Sequence, residues 1–189
     1  QGDVVLFLHG SGTGASGFTN FKKNIDFFQR NGFRTIVPDL PGYGFSDKPE
    51  DEIYTMSFFN NLLLELLDHL NITNCSVVGN SLGGALAMGL SLEQPKRFSK
   101  LILMAPGGLE DFNAYQEMPG IKKLLGDFLG GEMNQEKIEG LLKLFPYDPS
   151  FVTKDIIEDR MEILPLMNQQ VLASMDIPNL SEKLKNNQT

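Results

Sequence analysis

Five neighbouring residues could run a reaction together: Gly79, Asn80, Ser81, Leu82 and Gly83. They spell G-x-S-x-G, the pattern of a serine nucleophile on a tight turn between a strand and a helix. A serine hydroxyl is a poor nucleophile until a base takes its proton. The chain has two histidines, His9 and His69, and both precede the serine. Triads built on this turn run in the order Ser, acid, His, so neither histidine stands where the base belongs. The plain alternative for Ser81 is a cap on the following helix. Glu110 and Asp111 could stand in for a displaced triad acid, but an exposed hinge is the simpler reading.

A second motif competes for attention. Gly12 to Gly17, "GTGASG", matches G-x-G-x-x-G, follows an apolar run and precedes a helical pattern, with Asp39 about 20 residues further on. Those are parts of a dinucleotide fingerprint. Against it, His9-Gly10-Ser11 separate the strand from the first glycine, and Asp39 leads into the loop "LPGYG". A compact loop whose N–H groups face an oxyanion accounts for the same glycines.

Composition narrows the function class. The 189 residues suffice for one domain, or a core with an insertion. Net charge is −8 and the pI near 4.7, without a Lys/Arg cluster, which argues against nucleic acid and anionic membranes as partners. No His/Cys cluster has metal-ligand spacing. The single cysteine, Cys75, excludes an internal disulfide; it reads as a small buried residue and fits a reducing, cytoplasmic compartment. The sequence shows no signal peptide and no apolar stretch long enough to span a bilayer. Gln1 is not a start methionine, Val4 already lies within an apolar run, and "KLKNNQT" trails off polar, so the chain reads as a fragment or a processed product.

The elements around the serine follow from periodicity. "VVLFL" reads as a buried parallel strand, and "RTIVPD", "SVVG" and "KLILMAP" as three further strands. Helices are expected from Phe21 to the stop at Gly32, over "TMSFFNNLLLELLDHL" with Thr55 or Ser57 as cap, and from Leu82 to Pro95. Alternating strands and helices predict an α/β fold with a mostly parallel sheet. After Pro106 the pattern changes to four short helices, "PGIKKLLGDFLGG", "NQEKIEGLLKLF", "TKDIIEDRMEIL" and "LMNQQVLASM".

His9-Gly10-Ser11-Gly12, "DLPGYGFSD" and "GNSLGG", after the first three strands, resemble the α/β-hydrolase fold. More narrowly, "LHGSGTGASG", "GNSLGGA", "LILMAPGGL" and "LFPYDPSFVTKDIIEDRME" resemble the meta-cleavage product hydrolases. These are serine enzymes that cut a carbon–carbon bond in vinylogous 1,5-diketones from ring-opened catechols. The resemblance runs from Val4 to about Leu184. It implies an α/β-hydrolase core over residues 1–108, a helical lid over 109–175 and a return segment over 176–189. It also implies a triad acid and histidine on later strands, beyond this chain, and edge strands before Gln1.

The resemblance assigns roles. Ser81 is the nucleophile, and the backbone N–H groups of Leu82 and Ser11, with Gly12 adjacent, form the oxyanion hole. Arg160 holds the substrate's carboxylate and 2-oxo end; a surface salt bridge with Glu158 or Asp155 is the alternative. Phe145 walls the pocket, or merely packs the lid. Asn80 and Asn20 surround the dienol carboxylate, although Asn20 could instead cap the helix at Phe21. His9 braces the oxyanion loop, and His69 sits at a helix end on the surface. No cofactor or metal is implied; the partner is a small dienoate, and relatives tend to be dimers or larger. Serine at position 81, where aspartate would stand, argues against dehalogenase and epoxide hydrolase chemistry. A carboxylesterase on the same fold, and a non-catalytic nucleotide- or partner-binding domain, are the competing readings.

Overall fold

In the computed structural model, residues 2–129, 133–168, 171 and 174–186 are described. Four strands, β1 (Val4–Leu8), β2 (Arg34–Ile36), β3 (Cys75–Asn80) and β4 (Phe98–Met104), form one parallel sheet in the order β2-β1-β3-β4. The connections are α1 (Gly17–Arg30), α2 (Met56–His69) and α3 (Leu82–Glu93). The chain steps from β1 outward to β2, then crosses to β3 on the other side of β1. The strand order reverses between β1 and β3, the point at which open α/β sheets generally leave a crevice between the loops at the strands' carboxyl ends.

The strand sequences suit burial on two faces. Val5, Phe7 and Val78 pack with Phe21 of α1, where the Phe7 and Phe21 rings lie 5.0 Å apart. Leu6, Leu8 and Val77 point the other way, into a larger core with Phe59, Leu63 and Leu67 of α2 and Leu82, Ala85 and Leu86 of α3. Helix α3 is buried almost all round, as expected of a helix without a polar face. Thr55, rather than Ser57, caps α2 by accepting the Phe58 N–H at 3.1 Å. Cys75 is buried, and burial raises its thiol to about 11.

Helix α1 begins one turn earlier than the periodicity implies. Ser16 is its cap, accepting the Thr19 N–H at 3.0 Å while the Thr19 hydroxyl accepts the Ser16 N–H at 2.9 Å. The Asp39 carboxylate takes the Gly17 N–H at 2.7 Å. Asn20 therefore lies inside the helix and is not its cap; its side chain donates back to the Ser16 carbonyl at 3.1 Å.

Beyond β4 come α4 (Phe112–Glu117), α5 (Pro119–Leu129), α6 (Gln135–Leu142) and α7 (Lys154–Ile163), with short 3₁₀ turns at Pro149–Phe151 and Leu164–Leu166, then α8 (Ser181–Asn186). The fourth expected helix, "LMNQQVLASM", lies partly outside the described residues. The chain then returns to the core: the Met56 N–H bonds to the Asp176 carbonyl at 3.1 Å and the Leu180 N–H to the Gly108 carbonyl at 2.7 Å.

β4 is an edge strand, and Ile102, Leu103 and Met104 are 49%, 37% and 42% exposed. Successive strand residues face opposite ways, so the apolar end of β4 is open on both faces as well as along its edge. Such an edge templates association. The 189-residue chain alone should therefore self-associate and bind a hydrophobic dye. Ile102→Lys should reduce both, as read by light scattering and dye fluorescence; unchanged scattering would locate the association elsewhere.

Candidate active site

The turn after β3 is built by what its glycines lack. A Cβ on Gly79 would stand 2.4 Å from the Gly83 carbonyl oxygen, and one on Gly83 would stand 2.0 Å from the Leu8 carbonyl oxygen. Both are far inside contact distance, so β3, the turn and α3 close up only with glycine at both ends of the motif. Between them Ser81 adopts φ 52° and ψ −112°, a conformation that costs a non-glycine residue energy and is held by its surroundings. The Ser81 N–H donates to the Met104 carbonyl at 3.0 Å. Its carbonyl accepts N–H groups of Gly84, Ala85 and Gly107 at 3.0, 3.1 and 2.9 Å. The Ser81 hydroxyl caps nothing, and the residue is half-buried at the amino end of α3, where the helix dipole favours negative charge.

The loop after β1 faces this turn. Gly10 lies against it: a Cβ there would be 3.2 Å from the Ser81 Cβ. The Gly83 N–H bonds to the His9 carbonyl at 3.1 Å. The backbone N–H groups of Ser11 and Leu82 have no hydrogen-bond partner among the described residues, so both are free to bond an oxyanion.

His9 is fully buried, and both ring nitrogens are engaged. Nδ1 lies 2.8 Å from the Gly10 carbonyl and Nε2 accepts the Leu40 N–H at 2.9 Å. That pattern requires a neutral ring with its proton on Nδ1. Burial draws the pKa down to about 4. His9 ties the glycine loop to the chain after β2 and has no lone pair left for Ser81. His69 is exposed at the last turn of α2.

Asp39 also joins loops. One carboxylate oxygen takes Gly17 N–H and the other the Phe45 N–H at 2.8 Å, while its carbonyl accepts the Ser46 hydroxyl at 2.6 Å. A Cβ on Gly44 would collide with the same carboxylate, at 2.1 Å. Each carboxylate oxygen is thus engaged in tying loops together, a structural role that accounts for Asp39 without a ribose and weakens the dinucleotide reading.

Arg160 reaches the glycine loop from α7. Nη1 donates to the Thr13 carbonyl at 3.2 Å, and a Cβ on Gly12 would sit 4.0 Å from that same nitrogen. The backbone is pressed just as close: a Cβ on Gly14 would be 2.4 Å from the Arg160 carbonyl oxygen. Nε is sealed from solvent without a partner. Burial draws the guanidinium down to about 10, so it stays charged at neutral pH. No salt bridge to Glu158 or Asp155 forms: Glu158 pairs with Lys154 at 3.1 Å and Asp155 with Lys22 at 2.9 Å. Asn80 and Asn20 meet, the Asn80 amide donating to the Asn20 side-chain oxygen at 3.2 Å. Phe145 is 66% exposed.

Two surface hollows lie elsewhere. One is lined by Asp68, Thr73 and residues 94–97, the other by residues of α2, α3 and the return segment; Ser81 lines neither. Sequence reasoning missed Asp39 as a loop tie, Gly107 as a donor to the Ser81 carbonyl and the Lys22 contacts with α7. Only the "DLPG" and "APGG" glycine turns hinted at the first two.

Two outcomes follow from this geometry. Gly83→Ala should destabilise the fold by at least about 3 kcal/mol, because backbone must move to admit the methyl. Gly126→Ala, in α5 where nothing lies within 4 Å, should be neutral or stabilising by up to about 1 kcal/mol. Urea unfolding of both variants checks the contrast. For His9, the folded pKa of about 4 lies below the unfolded value, so the unfolded chain binds the extra proton between pH 6.5 and 4. The contribution is intact above about pH 6.5 and is lost as pH falls, by on the order of 3 kcal/mol at pH 4. Urea midpoints across this range should show that slope in the wild type and not in His9→Gln.

Comparison with known proteins agrees with this layout. The model of the alpha/beta hydrolase fold family matches residues 3–135. A 2-hydroxy-6-oxo-6-phenylhexa-2,4-dienoate hydrolase of Burkholderia cepacia is 38% identical over 162 residues, covering 85% of this chain and 56% of that protein. A 2-hydroxy-6-oxononadienedioate/2-hydroxy-6-oxononatrienedioate hydrolase of Comamonas testosteroni is 36% identical, covering 85% and 56%. The chain thus spans little more than half the length of these relatives. A solved meta-cleavage product hydrolase of Pseudomonas fluorescens, a variant complexed with acetates, superimposes with a TM-score of 0.76 at 29% identity, covering 92% of this chain and 60% of that one. No helix among the described residues is long and apolar enough to cross a membrane. With its parallel sheet, its glycine-flanked serine turn and a family match over most of its length, the chain belongs to the α/β-hydrolase fold family.

Proposed function

We propose that this protein acts as a serine hydrolase that cleaves a carbon–carbon bond in 2-hydroxy-6-oxo-dienoates, the products of aromatic-ring meta-cleavage. One observation carries the reading. Arg160, with no carboxylate partner among the described residues, is seated on the same short glycine loop that faces Ser81. Gly10, against Ser81, and Gly12, beside the guanidinium, are two residues apart, at most about 7 Å of chain. An ester hydrolase needs the nucleophile and oxyanion donors alone; a cation at that distance suits a substrate with a carboxylate at one end and a reacting carbonyl further along. The two relatives named above act on compounds that share the 2-hydroxy-6-oxo-dienoate portion and differ beyond C6.

In this reading Arg160 takes the C1 carboxylate and 2-oxygen by charge-assisted hydrogen bonds. Asn80 and Asn20 lie alongside that end, Gly12 lets the chain pass close, and Phe145, on the helical lid formed by residues 109–175, walls the pocket. The dienol first gains a proton at C5 and gives up its 2-hydroxyl proton, becoming a ketone. Addition at the C6 carbonyl then places negative charge on its oxygen, which the Ser11 and Leu82 N–H groups accept. The C5–C6 bond breaks, its electrons leaving on the dienolate fragment, and water completes the carboxylic acid at C6. Activation of Ser81 needs a base other than these two histidines, since His9 is locked by its two hydrogen bonds and His69 stands at the far end of α2. No cofactor takes part, the lone buried Cys75 accords with a cytoplasmic setting, and a homodimer or larger homo-oligomer is the expected assembly.

The test uses the protein extended to the length of its relatives, assayed on a ring-fission dienol and on p-nitrophenyl acetate. Ser81→Ala should abolish both activities by at least about 10³-fold. Arg160→Leu should lower kcat/KM about 10²-fold on the dienol, equivalent to roughly 2.7 kcal/mol, and leave the ester nearly untouched. Equal effects on both substrates, or ester turnover far above dienol turnover, would make the protein a carboxylesterase. The 189-residue chain alone should turn over neither.

A further inference from the structure

Arg160 is held in place from behind. Lys22 on α1 extends its amine between two carboxylates of α7, reaching Asp155 at 2.9 Å and closing on Asp159 as well. Asp155 and Asp159 are four residues apart and so share one helix face, where two like charges repel unless a cation sits between them. Lys22 supplies that cation. Its side chain is 18% exposed and that of Asp159 25%, so the contact is shielded from solvent on both sides, unlike the open Lys154–Glu158 pair on the same helix. Asp159 is the residue immediately before Arg160, and Lys22 lies two residues after Asn20, whose amide meets Asn80 beside Ser81. One helix, α1, therefore sets the positions of both polar elements around the serine, Asn80 directly and Arg160 through the α7 aspartates.

We propose that Lys22 is a positioning residue: by clamping Asp155 and Asp159 it docks α7 on α1 and seats the Arg160 guanidinium over the Gly12–Gly14 loop, ready for the substrate's carboxylate. The carboxylate half of this statement rests on the function proposed above; the clamp itself does not. Without Lys22 the two aspartates repel each other and α7 loses its ion pairs to α1, keeping the Arg160–Thr13 bond to the glycine loop. The guanidinium then spends less time in register, which weakens binding of carboxylate substrates and spares chemistry that uses Ser81 alone. Because one partner of the clamp is a surface aspartate, high salt screens it in part, and the wild-type KM for a dienoate rises with ionic strength.

The experiment compares wild type, Lys22→Met and Lys22→Arg in the relative-length protein. Lys22→Met keeps the aliphatic stem and removes the charge; Lys22→Arg keeps a cation able to bridge two carboxylates. Backbone hydrogen exchange over residues 154–163 reports docking of α7. Exchange there should speed up at least tenfold in Lys22→Met and return toward wild type in Lys22→Arg. On the dienoate, Lys22→Met should raise KM about tenfold with kcat within threefold, flatten the salt dependence of KM, and leave p-nitrophenyl acetate turnover within twofold; Lys22→Arg should restore KM. Unchanged α7 exchange in Lys22→Met overturns the clamp. Faster exchange with unchanged dienoate KM, or equal loss on both substrates, overturns the positioning role. A wild-type enzyme that ignores dienoates defeats the functional reading and the carboxylate half with it, while the exchange data still decide the clamp.

Discussion

The site depends on one close approach: the backbone of α3 at Gly83 lies against the end of β1. The Gly83 N–H bonds to the His9 carbonyl, and the missing Cβ leaves room for the Leu8 carbonyl oxygen. That contact brings the first glycine loop and the serine turn together at the sheet's switch point. Every other feature of the site is measured from it. Gly10 then faces Ser81, the free N–H groups of Ser11 and Leu82 lie on adjoining loops, and the Ser81 carbonyl gathers three donors that hold its positive φ in place. The strain at Ser81 persists because the surrounding bonds leave it no relaxed alternative.

Around this junction, polar side chains are used as ties, the buried His9 and the half-buried Asp39. His9 is kept neutral by burial and spends both nitrogens bridging the glycine loop and the chain after β2. Asp39 spends both carboxylate oxygens on the start of α1 and on Phe45. These bonds satisfy groups whose shielding from water would otherwise be costly, and they tie the loops near Ser81 to one another. Arg160 differs in kind. Its charge enters the same region from a separate helix, with one backbone bond and no carboxylate among the described residues. A shielded charge without a carboxylate partner is expensive, and the function proposed above would supply that partner from the substrate.

The helical segment and the core meet through charge as much as through apolar packing. Lys22 engages two aspartates of α7, while the α7 backbone at Arg160 sits on Gly14. At the opposite side of the sheet, β4 exposes Ile102, Leu103 and Met104. The molecule therefore combines closely tied loops near Ser81 with an open apolar edge, and the two are joined through the Met104 carbonyl that accepts the Ser81 N–H.

Much of this was legible in the residues. The strand runs, the helix after the serine and the turn itself follow from periodicity and from glycines at fixed offsets, which act locally and need no partner. His69 as a surface residue was readable from its place at a helix end, whereas His9 as a brace came from the family resemblance and is seen in its two hydrogen bonds. The start of α1 was misplaced by one turn because its first residue, Gly17, gains an Asp39 contact from 22 residues away. The same distance hid the role of Asp39, which spacing alone likened to a ribose-binding acid. The place of Arg160 and the Lys22 clamp could not be read at all: Lys22 and Asp159 are 137 residues apart. The sequence by itself marked Ser81 as the candidate nucleophile and determined how its turn is made, because sterics at glycine and the strand-helix pattern are short-range. Only the tertiary structure decided which loops face Ser81, which carboxylates are already taken and where the arginine's charge comes to rest, because hydrogen bonds and ion pairs between distant segments exist only once the chain has folded.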